Sequence, residues 1–252
     1  MSTKIDKYLT IAIYQFICNM NFSGVSMPLR PVLAVDVVLL CVEHGGLRVL
    51  LHPRREAPFK GAQALPGVAL EADESLLQAA QRALVSKTGL APDQLEALHL
   101  EQLAVFDGPY RDPRGRTVSA AHLGLCPAPP ELAPGAGGVL REVQAALAGG
   151  LPFDHAEVLQ AALARLRGKL RYTNIAAFLL PEAFRIDALQ AVYEAVLGRR
   201  LNRANFRTKL LRIGLIEQAG ILAGAVGQQG GRPPHVYRFA REELEAVDRD
   251  FL

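Results

Sequence analysis

Cysteine is scarce: there are three in 252 residues, Cys18, Cys41 and Cys126, far apart and with no CxxC or neighbouring Cys/His pair. That excludes a disulfide framework and a zinc site as organising devices, and it predicts a reducing, cytoplasmic setting. Long apolar runs are lacking too. The longest near the amino terminus, Tyr8 to Cys18, is interrupted by Gln15, is too short to span a bilayer, and has no small-residue cleavage site of the A-x-A kind. Residues 1–30 are therefore expected to be an extension outside the fold, disordered or packed as an extra helix or edge strand, with Met27 an alternative start. There is no internal repeat and no collagen-like period, although the chain holds 22 Gly and 16 Pro; these serve turns instead. An apolar fraction of 50% with 21% charged residues fits a soluble globular protein of two modest domains.

The formal charge of +3 conceals an uneven distribution. From Arg165 to Arg238 there are thirteen Lys or Arg against four Asp or Glu, a segment charge of +9 on a remainder that is mildly acidic. A basic segment of this kind is the electrostatic footprint of a phosphate-binding protein, while a solvated helical face is the plainer alternative.

Periodicity orders the chain. Val32–Val42 and Leu47–Leu51 flank a Gly-Gly turn and predict a hairpin, with further strands at Leu98–Asp107 and Thr117–Cys126. Glu74 to Gly89 carries apolar residues at spacings of three and four and predicts a helix closed by Gly89. Helical patterns resume at Val139–Ala148 and Asp154–Lys169, the second a natural bridge between domains. Beyond Pro181 the order is helix (Ile186–Leu197), Gly198, helix (Asn202–Gly214), strand, glycine-rich loop, strand (His235–Phe239), which is that of a winged helix-turn-helix with a two-stranded wing. In the second helix Phe206, Leu210 and Ile213 share the core face. Asn205, Thr208 and Arg212 lie opposite, and Arg203, Arg207 and Lys209 lie on the flanks. Asn and Arg form bidentate contacts with base edges, and flanking Arg and Lys reach phosphates. Arg232, in the expected wing tip, would meet a phosphate or a minor groove; Leu211 fits this scheme less well and is assigned to packing against the preceding helix.

From Leu65-Pro-Gly67 to Gly89-Leu90 the chain resembles the Nudix box, G-x5-E-x7-R-E-U-x-E-E-x-G-U. Glu74 matches the first glutamate, Arg82 the arginine, Leu84 an aliphatic position and Gly89-Leu90 the closing pair, while the opening glycine falls on Val68, one after Gly67. The three remaining helix glutamates are replaced by Ala83, Ser86 and Lys87. Catalysis in that family uses carboxylates to hold divalent cations that activate water, so little or no hydrolase activity is expected, and neither metal nor cofactor. A nucleotide-recognition scaffold would remain. Arg54, Arg55, Glu74, Arg82, Arg111, Arg114 and Arg116 are candidate contacts to a nucleotide diphosphate, with Phe106 and Tyr110 as candidate stacking surfaces. For Arg82 a brace on the box loop through Glu74 is an equal alternative, and for Phe106 plain core packing.

Phe153-Asp-His-Ala-Glu157, Leu166 to Ile175, Leu180-Pro-Glu-Ala-Phe184, Leu189 to Gly198, Asn205-Phe-Arg-Thr-Lys-Leu-Leu211 and Gly231-Arg-Pro233 together resemble the Nudix-related transcriptional regulators over about residues 32–240. The resemblance implies an α/β Nudix fold, a mixed sheet between helices, at 31–150, a linker helix at 151–170 and an α+β winged helix-turn-helix domain at 171–252. It also implies a homodimeric repressor of NAD-metabolism or, in some branches, sugar-catabolism genes, binding a near-palindromic double-stranded DNA operator and sensing ADP-ribose or a related nucleotide. Two alternatives stand beside it. One is an active hydrolase of a nucleoside diphosphate derivative using Glu71, Asp73 and Glu74; the other is a ligand-binding module without sequence-specific DNA contacts.

Overall fold

The structure, a computed structural model, describes residues 30–221, 235–241 and 243–247. The expected amino-terminal extension and Arg232 lie outside the described residues, except for Arg30.

Among the described residues, a seven-stranded mixed sheet is built around β1 (Val32–Glu43). β1 pairs antiparallel with β2 (Gly46–Pro53) across the expected turn, Val42 opposite Leu47, and parallel with β6 (Thr117–Leu125). The other strands are β3 (Gln63–Ala64) and β5 (His99–Phe106) at the two ends of the order β3-β2-β1-β6-β5, with β4 (Gly67–Ala69) on β1 and β7 (Val139–Glu142) on β2. Side chains of a strand alternate between faces, and β1 is apolar on both. Val35, Val37, Leu39 and Cys41 pack with α1 (Leu76–Thr88), whereas Val38 and Leu40 belong to a second cluster on the other face. A strand buried on both sides reads as an unbroken apolar run, as this one does.

α1 starts at a reciprocal cap: Ser75 Oγ accepts from the Gln78 N–H while the Gln78 side chain accepts from the Ser75 N–H. It ends at Gly89, whose φ of 74° is left-handed. The pattern at Val139–Ala148 resolves differently from the expectation of one helix. Val139–Glu142 joins β2 as β7, and only α2 (Val143–Ala148) is helical, because Glu142 folds its carboxylate back onto the Gln144 and Ala145 N–H groups and starts the helix there.

The second cluster continues without a break into the carboxy-terminal half. α3 (His155–Tyr172) buries Val158, Leu159, Ala162, Leu163, Leu166 and Leu170 among sheet residues such as Leu103 and Leu123 and among Leu189, Tyr193 and Phe206 beyond it. Charge clamps reinforce this seat. Glu101 of β5 pairs with Lys169 and Arg165 of α3 and with His99, whose ring stacks on Phe178 at 4.3 Å; on the opposite side Arg167 donates to the Val196 carbonyl at 2.9 Å. Burial alone would raise the Glu101 carboxyl, but hydrogen bonds from His99 and Lys169 outweigh it and hold it at about 2 against an ordinary 4.5. A depressed carboxylate stabilises the fold above its ordinary range and ceases to as pH falls through its folded value. The wild type should therefore exceed Glu101→Gln in stability by about 3 kcal/mol at pH 6, and the gap should close as melts are repeated down to pH 2. A gap independent of pH would refute the clamp.

The carboxy-terminal half comprises a 3-10 turn (Ile175–Leu179), β8 (Phe184–Arg185), α4 (Ile186–Leu197), α5 (Arg203–Arg212), β9 (Ile216–Ile221) and β10 (His235–Phe239). The wing strands gain a third partner that the sequence pattern does not predict, since β10 pairs with both β9 and the short β8. Asn174 ties the end of α3 to the tail through its side chain, donating to the Arg241 and Glu243 carbonyls and accepting from the Glu245 N–H. Among the described residues no helix is long and apolar enough to cross a membrane.

Candidate functional site: a Nudix-type cleft and a basic helix

The box loop is held by one arginine. Arg82 forks onto Glu74, with Nε 2.9 Å from Oε2, and also donates to the Ala69 carbonyl at 2.8 Å and pairs with Glu71 at 3.2 Å. Glu74 Oε1 additionally accepts from the Glu71 N–H at 2.8 Å. The hydrogen bonds from Arg82 keep the Glu74 carboxyl below its ordinary range. Both of its oxygens are thus committed to the loop, and Arg82 is occupied as a brace. At the other positions where a metal-dependent box carries carboxylates, Ala83 is fully buried, the Ser86 hydroxyl donates back to the Arg82 carbonyl at 2.6 Å, and Lys87 is exposed. Among the described residues no three His, Cys, Asp or Glu side chains gather into a cation-binding group. A hard divalent cation needs several anionic oxygens, and this donor set does not fit one.

The loops at Arg54–Ala62 and Asp107–Arg116 converge on Phe153, which the sequence reading does not single out as a site residue. The Arg54 guanidinium lies over its ring at 4.7 Å and that of Arg114 at 5.7 Å, and Phe59 meets it edge-on at 5.0 Å. Burial, and after it the neighbouring Arg114, lower the Arg54 pKa from its ordinary value. Phe59 is 47% exposed and Phe153 holds a left-handed φ of 57°, so the loops present apolar and cationic surface together. Arg55 is exposed and reaches the Ala136 carbonyl at 3.5 Å; Arg116 donates to the carbonyls of Asp107 and Gly108. Tyr110 is 92% exposed at the loop tip, while Phe106 is half-buried and packs on the core.

Arg111 sits elsewhere than on the loop surface. Its side chain is 5% exposed, forks onto Asp154 with two contacts of 2.7 Å, and reaches Asp36 Oδ2 at 3.0 Å. Asp36 also accepts from the Ser119 hydroxyl at 2.7 Å and lies 3.7 Å from His155 Nε2. His155 Nδ1 accepts from the Leu65 N–H at 3.0 Å, which leaves the proton of the neutral ring on Nε2, toward Asp36; burial lowers the pKa of this imidazole. Gly67 completes the arrangement, because a β-carbon there would overlap the Asp36 carboxylate. The network joins β1, β6, the box entry, the Asp107–Arg116 loop and the first turn of α3. Its one signal in the sequence is Asp36, a charge inside an apolar strand.

In the carboxy-terminal half, Asn202 caps α5 by accepting from the Asn205 N–H at 3.1 Å, and Phe206 and Leu210 are buried. Phe206 meets the Tyr193 ring of α4 at 5.1 Å. Arg203, Asn205, Arg207, Thr208 and Arg212 are exposed and Lys209 is half-buried. Among the described residues no carboxylate lies within ion-pair distance of Arg203, Arg207, Lys209 or Arg212, although Arg200, Arg185 and Arg238 nearby are all paired. Leu211, assigned from the sequence to packing against α4, is 36% exposed.

Comparison with known proteins accounts for both halves. The NUDIX domain model matches residues 30–166, and the model of the NrtR DNA-binding winged helix domain matches residues 176–239. An ADPR responsive transcriptional repressor of Acinetobacter baylyi is 34% identical over 220 residues, covering 85% of this chain and 84% of that protein. The crystal structure of Shewanella oneidensis NrtR superposes with a TM-score of 0.71 at 28% identity, over 87% of this chain and 99% of that one; its complex with a 27mer DNA gives 0.68 over the same shares. The NUDIX domain of that protein in complex with ADP ribose gives 0.50 at 28% identity, over 61% of this chain and 97% of that one. The chain belongs to the NrtR family, in which a Nudix domain is joined to a DNA-binding winged helix.

Proposed function

We propose that this protein is a cytoplasmic, homodimeric transcriptional repressor of NAD-metabolism genes that senses ADP-ribose or a similar nucleotide in its Nudix half without hydrolysing it. The observation that carries the reading is the combination, in one chain, of two features. The box holds Ala83, Ser86 and Lys87 with Glu74 committed to Arg82, and α5 is a basic helix whose Arg203, Arg207 and Arg212 have no carboxylate partner among the described residues. The first leaves a nucleotide no activated water; the second leaves a polyanion a docking face. The related repressor named as ADPR responsive and the two Shewanella oneidensis complexes, one with DNA and one with ADP ribose, support the choice of partners.

In this reading Arg54, Arg55 and Arg116 meet the diphosphate and Phe59, Phe153 or Tyr110 the apolar parts of the nucleotide, while Arg82 and Glu74 shape the loop beneath it. Domain limits of 31–150, 151–170 and 171–252 describe the division of labour, with α3 the shared element. Effector binding acts by favouring a dimer geometry in which the two recognition helices no longer match the operator half-sites, about one helical turn apart. A mobility-shift titration on the gene's own upstream region tests this. Affinity should fall steeply with salt, as phosphate contacts require, and saturating ADP-ribose should weaken it by about 5–150-fold, while the protein releases no AMP from ADP-ribose with magnesium. Brisk magnesium-dependent turnover with no preference among duplexes would overturn the proposal.

A further inference from the structure

The exposed side chains of α5 have an order around the helix that its basic composition hides. At 100° per residue, starting from Arg203, the sequence is Arg203, Arg207, Leu211, Ala204, Thr208, Arg212, Asn205, all exposed, while Phe206 and Leu210 point into the core on the other side. Thr208 therefore stands directly opposite the core with Ala204 and Arg212 beside it, and Leu211, Ala204 and Thr208 form one unbroken methyl-bearing strip. One row of donors, Arg203 and Arg207, lies to its left, and another, Arg212 and Asn205, to its right. Leu211 is 36% exposed, so that part of its side chain reaches solvent on this strip while Phe206 and Leu210 are buried in the core.

A methyl-bearing ridge between two rows of charged and amide donors has a specific complement. The 5-methyl of thymine is the apolar group that the floor of the major groove offers, and it lies beside base-edge acceptors and between two phosphate strands. The unneutralised arginines on both sides make an apolar protein partner a poor match, because docking one would bury charges without compensation. We propose that Leu211, Ala204 and Thr208 read thymine 5-methyl groups, so that the operator carries thymines at the centre of each half-site contact and the flanking Arg and Asn fix register and neighbouring bases. This rests on the assignment of α5 as a DNA-reading helix.

The test uses the full-length protein. Duplexes selected from a random library are remade with deoxyuridine in place of single thymines, which removes the methyl and keeps the base pair. At the contacted positions the wild type should lose about fourfold in affinity per methyl. Leu211→Ala should bind the thymine duplex about as weakly as the wild type binds the deoxyuridine one, and should no longer distinguish the two at one position. Thr208→Ser, which removes the side-chain methyl and keeps the hydroxyl, should erase the distinction at a neighbouring position. Arg207→Ala should weaken thymine and deoxyuridine duplexes alike. Selective duplex binding indifferent to every thymine methyl, or an undiminished thymine preference in both Leu211→Ala and Thr208→Ser, would overturn the inference while leaving the DNA-binding assignment intact. Failure to enrich or bind any duplex would sink that assignment and the inference with it.

Discussion

Replacing Arg207 and Arg212 together by alanine should lower operator affinity by at least about thirtyfold, since each arginine that meets a base edge or phosphate contributes roughly 1–3 kcal/mol. The expectation follows from placement. Both side chains are exposed on α5, they lie on opposite sides of the Leu211, Ala204 and Thr208 strip, and neither is neutralised by a carboxylate among the described residues. Neither contributes to the core, so the doubly substituted protein should melt with the wild type and still bind ADP-ribose, separating loss of contact from loss of fold. The salt dependence distinguishes what each does. If both meet phosphates, the slope of log affinity against log salt should become shallower by about 2; if they read bases, the slope should hold while discrimination between matched and mismatched duplexes falls. Unchanged affinity in the double variant would show that α5 is not the helix in the groove.

Some elements of this fold are written in local sequence and others arise only from contacts distant along the chain. α1 is legible because its ends carry their own chemistry: Ser75 and Gln78 can only satisfy each other's backbone at a helix start, and Gly89 supplies a left-handed residue at the stop. β1 is legible because a strand covered on both faces is apolar throughout. The segment at Val139–Ala148 misleads because its apolar spacing satisfies a helix from the first residue, and only pairing with β2, a contact distant in sequence, converts the first four residues into a strand. Within the cleft, Arg82 reads equally as brace or ligand contact, and the geometry places it on Glu74. Phe153 and His155 lie in a stretch that marks the family, but their meeting with Arg54, Arg114 and Asp36 needs three loops and a strand to converge, which no local pattern encodes.

The largest loss of stability is expected at Arg111. Its guanidinium bridges two carboxylates, the buried Asp36 and the largely covered Asp154. Arg111→Ala leaves both anions buried beside each other without compensation, a change of about 3–5 kcal/mol, which for a chain of this size lowers the melting temperature by roughly 10 °C. Asp36→Asn should cost much less, because the amide oxygen can still accept from Ser119 while Arg111 keeps its fork on Asp154. Arg111→Lys should fall between the two, retaining the charge but losing the planar fork. The same series bears on signalling. Arg111 belongs to the loop proposed to meet the nucleotide, and its partner Asp154 is the N-cap residue of α3, which is packed continuously against the elements that carry α5. In the proposed reading a nucleotide that pulls on the Asp107–Arg116 loop acts on the start of α3 through the Arg111 fork on Asp154, beside the Arg114 contact with Phe153. In mobility-shift titrations Arg111→Lys should still bind the operator but respond to ADP-ribose several-fold less than the wild type, since a single ammonium transmits position less rigidly than a two-point fork. A full response in Arg111→Lys, with Arg111→Ala melting within a degree of the wild type, would mean that the loop and α3 are held together by the surrounding apolar contacts, and the route from cleft to helix would have to be sought along the other face of the sheet.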